Sequence, residues 1–229
     1  MIEIHYWPLR GLVQHLLTLC EYLGVDYKYV HMTTSREEWL EHKKTAHGDD
    51  WHFANLPYLI DEDKYSKTPL CETEALQMYI MKRAGDAAKP LQKAFYENPV
   101  EFCVLTGVIR DLKSLATMPA YMSPSLDAFK ATYGDRMKGF SHKLAGINKR
   151  FDDGRQFLFG ELSVLDFFFC ELLEMCQILE KELGLEGVTQ HSNFTAYVAR
   201  FHSVEKVAAY RAREDYMKRP FNNTMAVWK

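Results

Sequence analysis

The stretch Phe53-Ala-Asn-Leu-Pro-Tyr-Leu-Ile-Asp61 decides how the rest of the chain is read. A proline that opens an apolar strand sits only where its missing N–H is not needed, so Pro57 marks a strand start or a sheet edge. It also pushes Leu56 into extended geometry. The backbone N–H and C=O of Leu56 are therefore expected along an open rim, where a peptide-like ligand pairs in strand fashion. The second landmark is Ile2-Glu-Ile-His-Tyr6-Trp7, a strand that gives way at Arg10-Gly11 to a helical pattern. Strand, glycine turn and helix N-terminus together form a corner suited to an anion.

Between these landmarks, Leu12, Val13, Leu16, Leu17, Cys20 and Leu23 repeat at helical spacing, and Gly24 stands where a C-cap belongs. Tyr27 to Met32 has strand composition. Thr34-Ser35 followed by Glu37 and Glu38 predicts a helix through Trp39 to Lys44. A polar loop from Thr45 to Trp51 leads to the Pro57 strand, the acidic turn Asp61-Glu-Asp63, a short strand near Lys67 to Cys71 and a helix from Thr73 to Arg83. The order is βαβ, then ββα. A crossover helix makes the first two strands parallel, and the close-set last two form an antiparallel hairpin.

Composition shifts at Gly85-Asp-Ala-Ala-Lys-Pro90, which reads as a linker between domains 1–84 and 91–229. Everything after it is helical in pattern. Asn98-Pro-Val-Glu101 places a capping residue, a proline at the first helical position and a glutamate three beyond the cap, so a long helix starts there and runs past Asp111. Pro119 and Pro124 predict a break around Tyr121. A second long helix covers about Leu126 to Phe151, with interruption or kinking expected near Gly134 and Gly139. Leu162-Ser-Val-Leu-Asp166-Phe167 combines a Ser-x-x-Asp capping box with a hydrophobic staple and opens a helix apolar nearly all round, which belongs at the centre of a bundle. Shorter helices follow near Phe194 to Phe201 and Val204 to Arg213, then an irregular tail.

At 229 residues and 47% hydrophobic content, the chain has room for two cores at ~100–200 residues per domain. A formal net charge of −3 points to neither nucleic acid nor an anionic membrane as partner. No apolar run approaches the ~18 residues of a spanning helix, and no signal peptide pattern opens the chain, so a soluble cytoplasmic protein is expected. Cys20, Cys71, Cys103, Cys170 and Cys176 lie in apolar patterns and read as reduced, buried thiols. The triplets Asn193-Phe-Thr195 and Asn222-Asn-Thr224 then read as accidental matches to a glycosylation signal. His47-Gly-Asp-Asp50-Trp-His52 holds ligand-type residues close together, but its spacing matches no zinc pattern and it reads as a solvated loop; no metal is expected.

The segments Tyr6-Trp-Pro-Leu-Arg-Gly-Leu12, Asn55-Leu-Pro-Tyr-Leu-Ile-Asp61, Ser163-Val-Leu-Asp166 and Met225-Ala-Val-Trp228 occur in this order and at roughly this spacing in glutathione S-transferases. The chain resembles the mu class of that family most closely, over nearly its whole length. The resemblance implies an α/β thioredoxin-like N-terminal domain that binds glutathione, an all-α helical-bundle C-terminal domain that shapes the electrophile pocket, and a cis bond before Pro57. It implies a detoxifying transferase with glutathione as co-substrate.

Tyr6 is the candidate catalytic residue on two grounds. It ends the first strand beside a helix N-terminus, where ligands of open α/β sheets collect, and it matches the family's catalytic tyrosine. A thiol of pKa ~8.5 is mostly protonated at neutral pH. A hydrogen bond to its charged form, worth ~1.5–3 kcal/mol, lowers that pKa by about one to two units. A core aromatic on a strand is the plain alternative for Tyr6. Because no cysteine lies between Tyr6 and Gln14, the nucleophile is expected to come from the substrate.

For the rest of the site, the resemblance implies Trp7, Leu12, Arg36, Trp39 and Lys43 as glutathione contacts, the last three at i, i+3 and i+7 on one helical face. A solvated face accounts equally for Arg36 and Lys43. Asn55 and Leu56 fit backbone pairing, and the resemblance implies Pro57 as a further glutathione contact. Glu72-Thr73 stands where the mu class usually has Gln-Ser; its helix-start hydroxyl and N–H suit a carboxylate and Glu72 suits an amine. Asp111 matches an acidic residue lent to the partner subunit's glutathione. Tyr121, with Leu12, matches the electrophile side, although a surface aspartate and a packing tyrosine explain the pair as well. Phe53 matches the anchor of a twofold homodimer, with Met78 where the family often has an interface arginine. Two other readings stand beside the transferase: a glutathione-fold binding or structural protein without turnover, and a glutathione-dependent isomerase or peroxidase.

Overall fold

The structure is a computed structural model that describes residues 1–33, 35–46, 51–65 and 68–229. Thr34, residues 47–50 of the polar loop and Lys67 lie outside the described residues. The chain divides into two compact units: Met1–Ala88 with Arg213–Thr224 and Lys229, and Lys89–Ala212 with Met225–Trp228.

The first unit contains β1 (Ile2–Tyr6), α1 (Gln14–Leu23), β2 (Tyr27–His31), α2 (Arg36–Thr45), β3 (Tyr58–Asp61), β4 (Leu70–Cys71) and α3 (Thr73–Ala84). Its sheet runs β2-β1-β3-β4. β1 pairs parallel with β2, from Ile2 opposite Tyr27 to Tyr6 opposite His31, and antiparallel with β3, where His5 faces Tyr58. The β3–β4 pair is antiparallel. This is the expected βαβ-ββα order. Ile2, Ile4 and Tyr6 alternate onto one buried face of β1, as period-2 geometry requires. α1 starts off the Arg10 carbonyl, which accepts the N–H groups of Val13 and Gln14, and it stops where Gly24 takes φ +68°. α2 opens on Ser35, whose Oγ accepts the Glu38 N–H at 3.3 Å. No residue of α2 is fully buried; Trp39 and His42 stack on Tyr58, and His42 Nε2 lies 3.0 Å from Tyr58 Oη. The Leu56–Pro57 bond is cis, as the resemblance implied, and so is Arg219–Pro220, which no sequence feature announced.

The second unit is built from α4 (Lys89–Glu97), α5 (Pro99–Met122), α6 (Leu126–Lys149), α7 (Val164–Leu183), α8 (Ser192–His202) and α9 (Glu205–Arg211). Several expectations are corrected here. The stretch from Gly85 to Pro90, in which the two units divide, is helical: a 3-10 turn covers Gly85–Ala88, and Pro90 sits in the first turn of α4, where a missing N–H costs nothing. Asn98 makes no side-chain cap bond at the start of α5, and Glu101 pairs with Arg150 instead of closing a box. α5 ends at Met122, within the bracket set by Pro119 and Pro124 and one residue past Tyr121. Pro119 lies one turn from the helix end, removes a single backbone bond there, and its carbonyl accepts the Ser123 N–H; the break falls after Met122. α6 continues unbroken through Gly134 and Gly139.

α7 is the central helix, with most of its residues buried on every side. Asp166, fully buried, does more than cap it. Its Oδ2 accepts the Ser163 N–H (2.8 Å) and hydroxyl (2.6 Å), while Oδ1 accepts the Leu158 N–H (3.0 Å) and Tyr197 Oη (2.8 Å). Burial pushes this carboxyl up against the pull of those four bonds. All five cysteines are free, and four are buried; Cys103, on the outer face of α5, is exposed, which corrects the expectation for that thiol. Among the described residues, no helix is long and apolar enough to cross a membrane.

Candidate functional site

Tyr6 ends β1 and is 5% exposed. Beyond it the chain leaves the sheet, and at Gly11 it takes φ +35°, a left-handed conformation natural to glycine. That turn brings the next amide back onto the phenol: Leu12 N–H donates to Tyr6 Oη at 3.2 Å. A donor on the oxygen polarises the O–H and strengthens it as a donor in turn. The loop is braced from below, because Trp7 O accepts Tyr29 Oη and the Leu9 N–H.

Trp7 is half-buried, and its indole Nε1 is buried with no hydrogen-bond partner among the described residues. Buried indole N–H groups ordinarily find an acceptor. This one suits an acceptor brought by a ligand.

Leu56 is 6% exposed, and its N–H donates to Asn55 Oδ1 at 2.9 Å. The Leu56 N–H, expected along an open rim, is thus engaged by the neighbouring amide side chain, because Asn55 folds back on its own backbone as such residues readily do. Asn55 Nδ2 in turn reaches Glu72 Oε1 at 3.4 Å, so these two sequence-predicted residues, 17 apart in sequence, do meet.

Glu72 holds the most informative backbone in the unit. Its φ of +71° and ψ of +121° make it the one non-glycine residue with positive φ among the described residues, immediately before α3. Such a conformation costs ~1–3 kcal/mol and collects at ligand-binding positions. Thr73, half-buried, begins the helix behind it, so its hydroxyl and the helix N-terminus lie beside the strained residue.

On α2, Arg36 is exposed and Trp39 and Lys43 are half-buried along one face. Phe53 is 81% exposed in the loop before Asn55, and Met78 on α3 is 42% exposed. In the helical unit, Asp111 is exposed on α5 and pairs with Lys143 Nζ at 3.4 Å, and Tyr121 is half-buried in the last turn of α5. Among the described residues, no group of three or more His, Cys, Asp or Glu is placed to hold a metal ion.

Sequence reasoning missed Arg10. Its side chain is 1% exposed, and its guanidinium lies over the Phe221 ring at 4.4 Å and toward Tyr216 at 5.7 Å. A charged residue in an apolar motif was the only local signal, and its aromatic partners lie some two hundred residues away.

Residues 2–82 match the family model of the glutathione S-transferase N-terminal domain. Glutathione S-transferase Mu 3 of Homo sapiens is 24% identical over 97% of this chain and 93% of its own length. Glutathione S-transferase Mu 2 of Macaca fascicularis is 25% identical over 99% and 98%. Among solved structures, the glutathione S-transferase Blo t 8 superposes with a TM-score of 0.74 at 20% identity, over 98% of each chain. Prostaglandin synthase D of Nilaparvata lugens gives 0.69 at 17%, over 93% of this chain and 98% of that one. The fold is a thioredoxin-like N-terminal domain followed by a helical region. Residues 2–82 are therefore similar to the glutathione S-transferase N-terminal domain, and the chain resembles members of that family along almost its entire length.

Proposed function

We propose that this protein is a mu-like glutathione transferase in which Tyr6 stabilises the glutathione thiolate for attack on an electrophilic carbon of an apolar compound. The thiol loses its proton, the sulfur forms a C–S bond, and with an aryl halide the halide leaves with the bonding pair. The observation that carries this reading is the corner at the end of β1. There the Tyr6 hydroxyl is backed by the Leu12 amide, and the Trp7 indole N–H stands without a partner among the described residues.

In this reading Trp7, Arg36, Trp39 and Lys43 take the glycyl carboxylate by charge-assisted bonds. Asn55, Leu56 and Pro57 pair the cysteinyl backbone once the Leu56 N–H exchanges Asn55 Oδ1 for the ligand. Glu72 takes the γ-glutamyl amine and Thr73 its carboxylate. Asp111 serves the partner subunit's glutathione in a homodimer anchored by Phe53, and Leu12 and Tyr121 contact the electrophile. The free thiols accord with a cytoplasmic detoxifying enzyme.

A chromogenic aryl-halide assay with glutathione tests the reading. Glutathione-dependent turnover that is lost in Tyr6→Phe is expected. Glutathione binding without turnover toward any of a panel of aryl halides, epoxides and enones would contradict it and favour a binding protein.

A further inference from the structure

Of the chain beyond α9, Arg213–Thr224 belongs to the N-terminal unit, whereas Met225–Trp228 belongs to the helical one. Two backbone bonds from this first segment reach the loop between β1 and α1. Pro220 O accepts the Arg10 N–H at 2.8 Å, and Phe221 O accepts the Gly11 N–H at 3.1 Å. The Arg10 guanidinium donates to Lys218 O at 3.4 Å and lies over Phe221, whose ring also carries Arg219 at 5.0 Å. Phe221, Asn222 and Asn223 are 1%, 3% and 4% exposed. At the far end, Arg213 pairs with Glu21 of α1 at 2.8 Å. The two amides that the tail holds directly precede the Leu12 amide that donates to Tyr6 Oη.

We propose that Arg213–Thr224 is a strap that positions the Tyr6 hydroxyl, with Arg10 and Phe221 as the positioning residues through which it acts. Gly11 occupies a left-handed turn that a free loop samples among many others, and two strap carbonyls fix it. A loop so fixed presents the Leu12 N–H at hydrogen-bond distance from the phenol, and the phenol is then aimed before any ligand arrives. Preorganisation of this kind removes reorganisation at the moment of reaction. The cation stacked on Phe221 keeps Arg10 buried, so the strap and the loop move together or not at all. The inference rests on the role given above to Tyr6.

The test uses the full-length protein with Phe221→Leu and Arg10→Lys as separate variants and Tyr6→Phe as reference. Two quantities are read: amide hydrogen exchange at residues 10–12, and the thiol pKa of bound glutathione from ultraviolet absorbance against pH. Faster exchange confined to those amides is expected. A bound thiol pKa raised by about one unit, hence about tenfold less thiolate below it, and a lowered kcat with glutathione KM little changed are also expected. In the Tyr6→Phe background the strap variants should raise that pKa no further. Unchanged exchange, or faster exchange with unchanged pKa, in a variant that keeps its thermal midpoint would overturn the strap. If Phe221→Leu fails to fold, Arg10→Lys decides. Failure of the Tyr6 role is seen separately, as an unchanged pKa in Tyr6→Phe itself, and takes the inference with it.

Discussion

A Cβ on Gly11 would stand 2.5 Å from the hydroxyl oxygen of Tyr6 and 2.5 Å from Leu9 Cδ1. Both neighbours are side-chain ends, but Leu9 and Tyr6 are buried and have little room to yield. The φ of +35° adds strain of its own for any other residue. Gly11→Ala is therefore expected to destabilise the protein by about 1–3 kcal/mol and to displace the phenol. Thermal unfolding and turnover should fall together, with turnover falling further than the folded fraction explains. A variant with wild-type kcat would show that the close approach has no bearing on catalysis.

Asp166 carries a prediction larger than a helix cap alone would give. Removing Ser163 costs one cap at about 0.5–2 kcal/mol. Asp166→Ala also strands the buried Leu158 amide, at about 1–3 kcal/mol for an unsatisfied group, and leaves the Tyr197 hydroxyl only the longer bond to the Asp166 carbonyl at 3.3 Å. Denaturant midpoints should rank wild type above Ser163→Ala above Asp166→Ala. The Michaelis constant for glutathione in the surviving native protein should not change; a shift in that constant at equal stability would make Ser163 and Asp166 site residues.

Asp61, 1% exposed, sets a pH dependence. Burial pushes its carboxyl up, but the bond from Tyr79 Oη, the Asp63 N–H and nearby Arg83 outweigh burial and hold it below the ordinary 3.8. Tyr79 is correspondingly pushed up to about 12, by burial first and then by Asp61. A depressed folded pKa contributes stability that is complete above the ordinary value and is lost as pH falls through the folded one. Asp61→Asn should lower the thermal midpoint at neutral pH and make the loss of stability below about pH 4 shallower than in wild type. Parallel pH profiles for the two proteins would refute the assignment.

Phe53, 81% exposed, is expected to bury its ring in the second subunit at ~1.5–3 kcal/mol per ring, counted twice by twofold symmetry. Phe53→Ser should shift sedimentation toward monomer and weaken glutathione binding, whereas Asp111→Asn should weaken binding and leave the dimer whole. Wild-type protein that sediments as an active monomer at micromolar concentration would defeat this arrangement.

Much of the first unit was legible because its signals are local. Gly24, Ser35 and Pro57 each announce an element boundary through their own backbone chemistry, and the senses of the β1–β2 and β3–β4 pairs follow from the spacing of the elements, whereas the pairing of β1 with β3 does not. What escaped depends on contacts distant in sequence or on conformations the residue type hides. Arg10 meets Lys218 across 208 positions. Glu72 gives no hint of positive φ, since glutamate has no preference for it. Asn55 looked like a residue for the ligand, yet its amide first satisfies the Leu56 N–H. In the helical unit, Pro119 and Pro124 marked the break between α5 and α6, whereas Gly134 and Gly139 did not interrupt α6, because one glycine costs a helix only ~1 kcal/mol.

The central claim is that Tyr6 acts on the charged thiolate. Its most direct test is the ultraviolet titration of bound glutathione in wild type and Tyr6→Phe. Wild type should give a thiol pKa about one to two units below the ~8.5 of an ordinary thiol, and Tyr6→Phe should return it most of the way while glutathione affinity changes little. Equal pKa values in the two proteins would contradict the account.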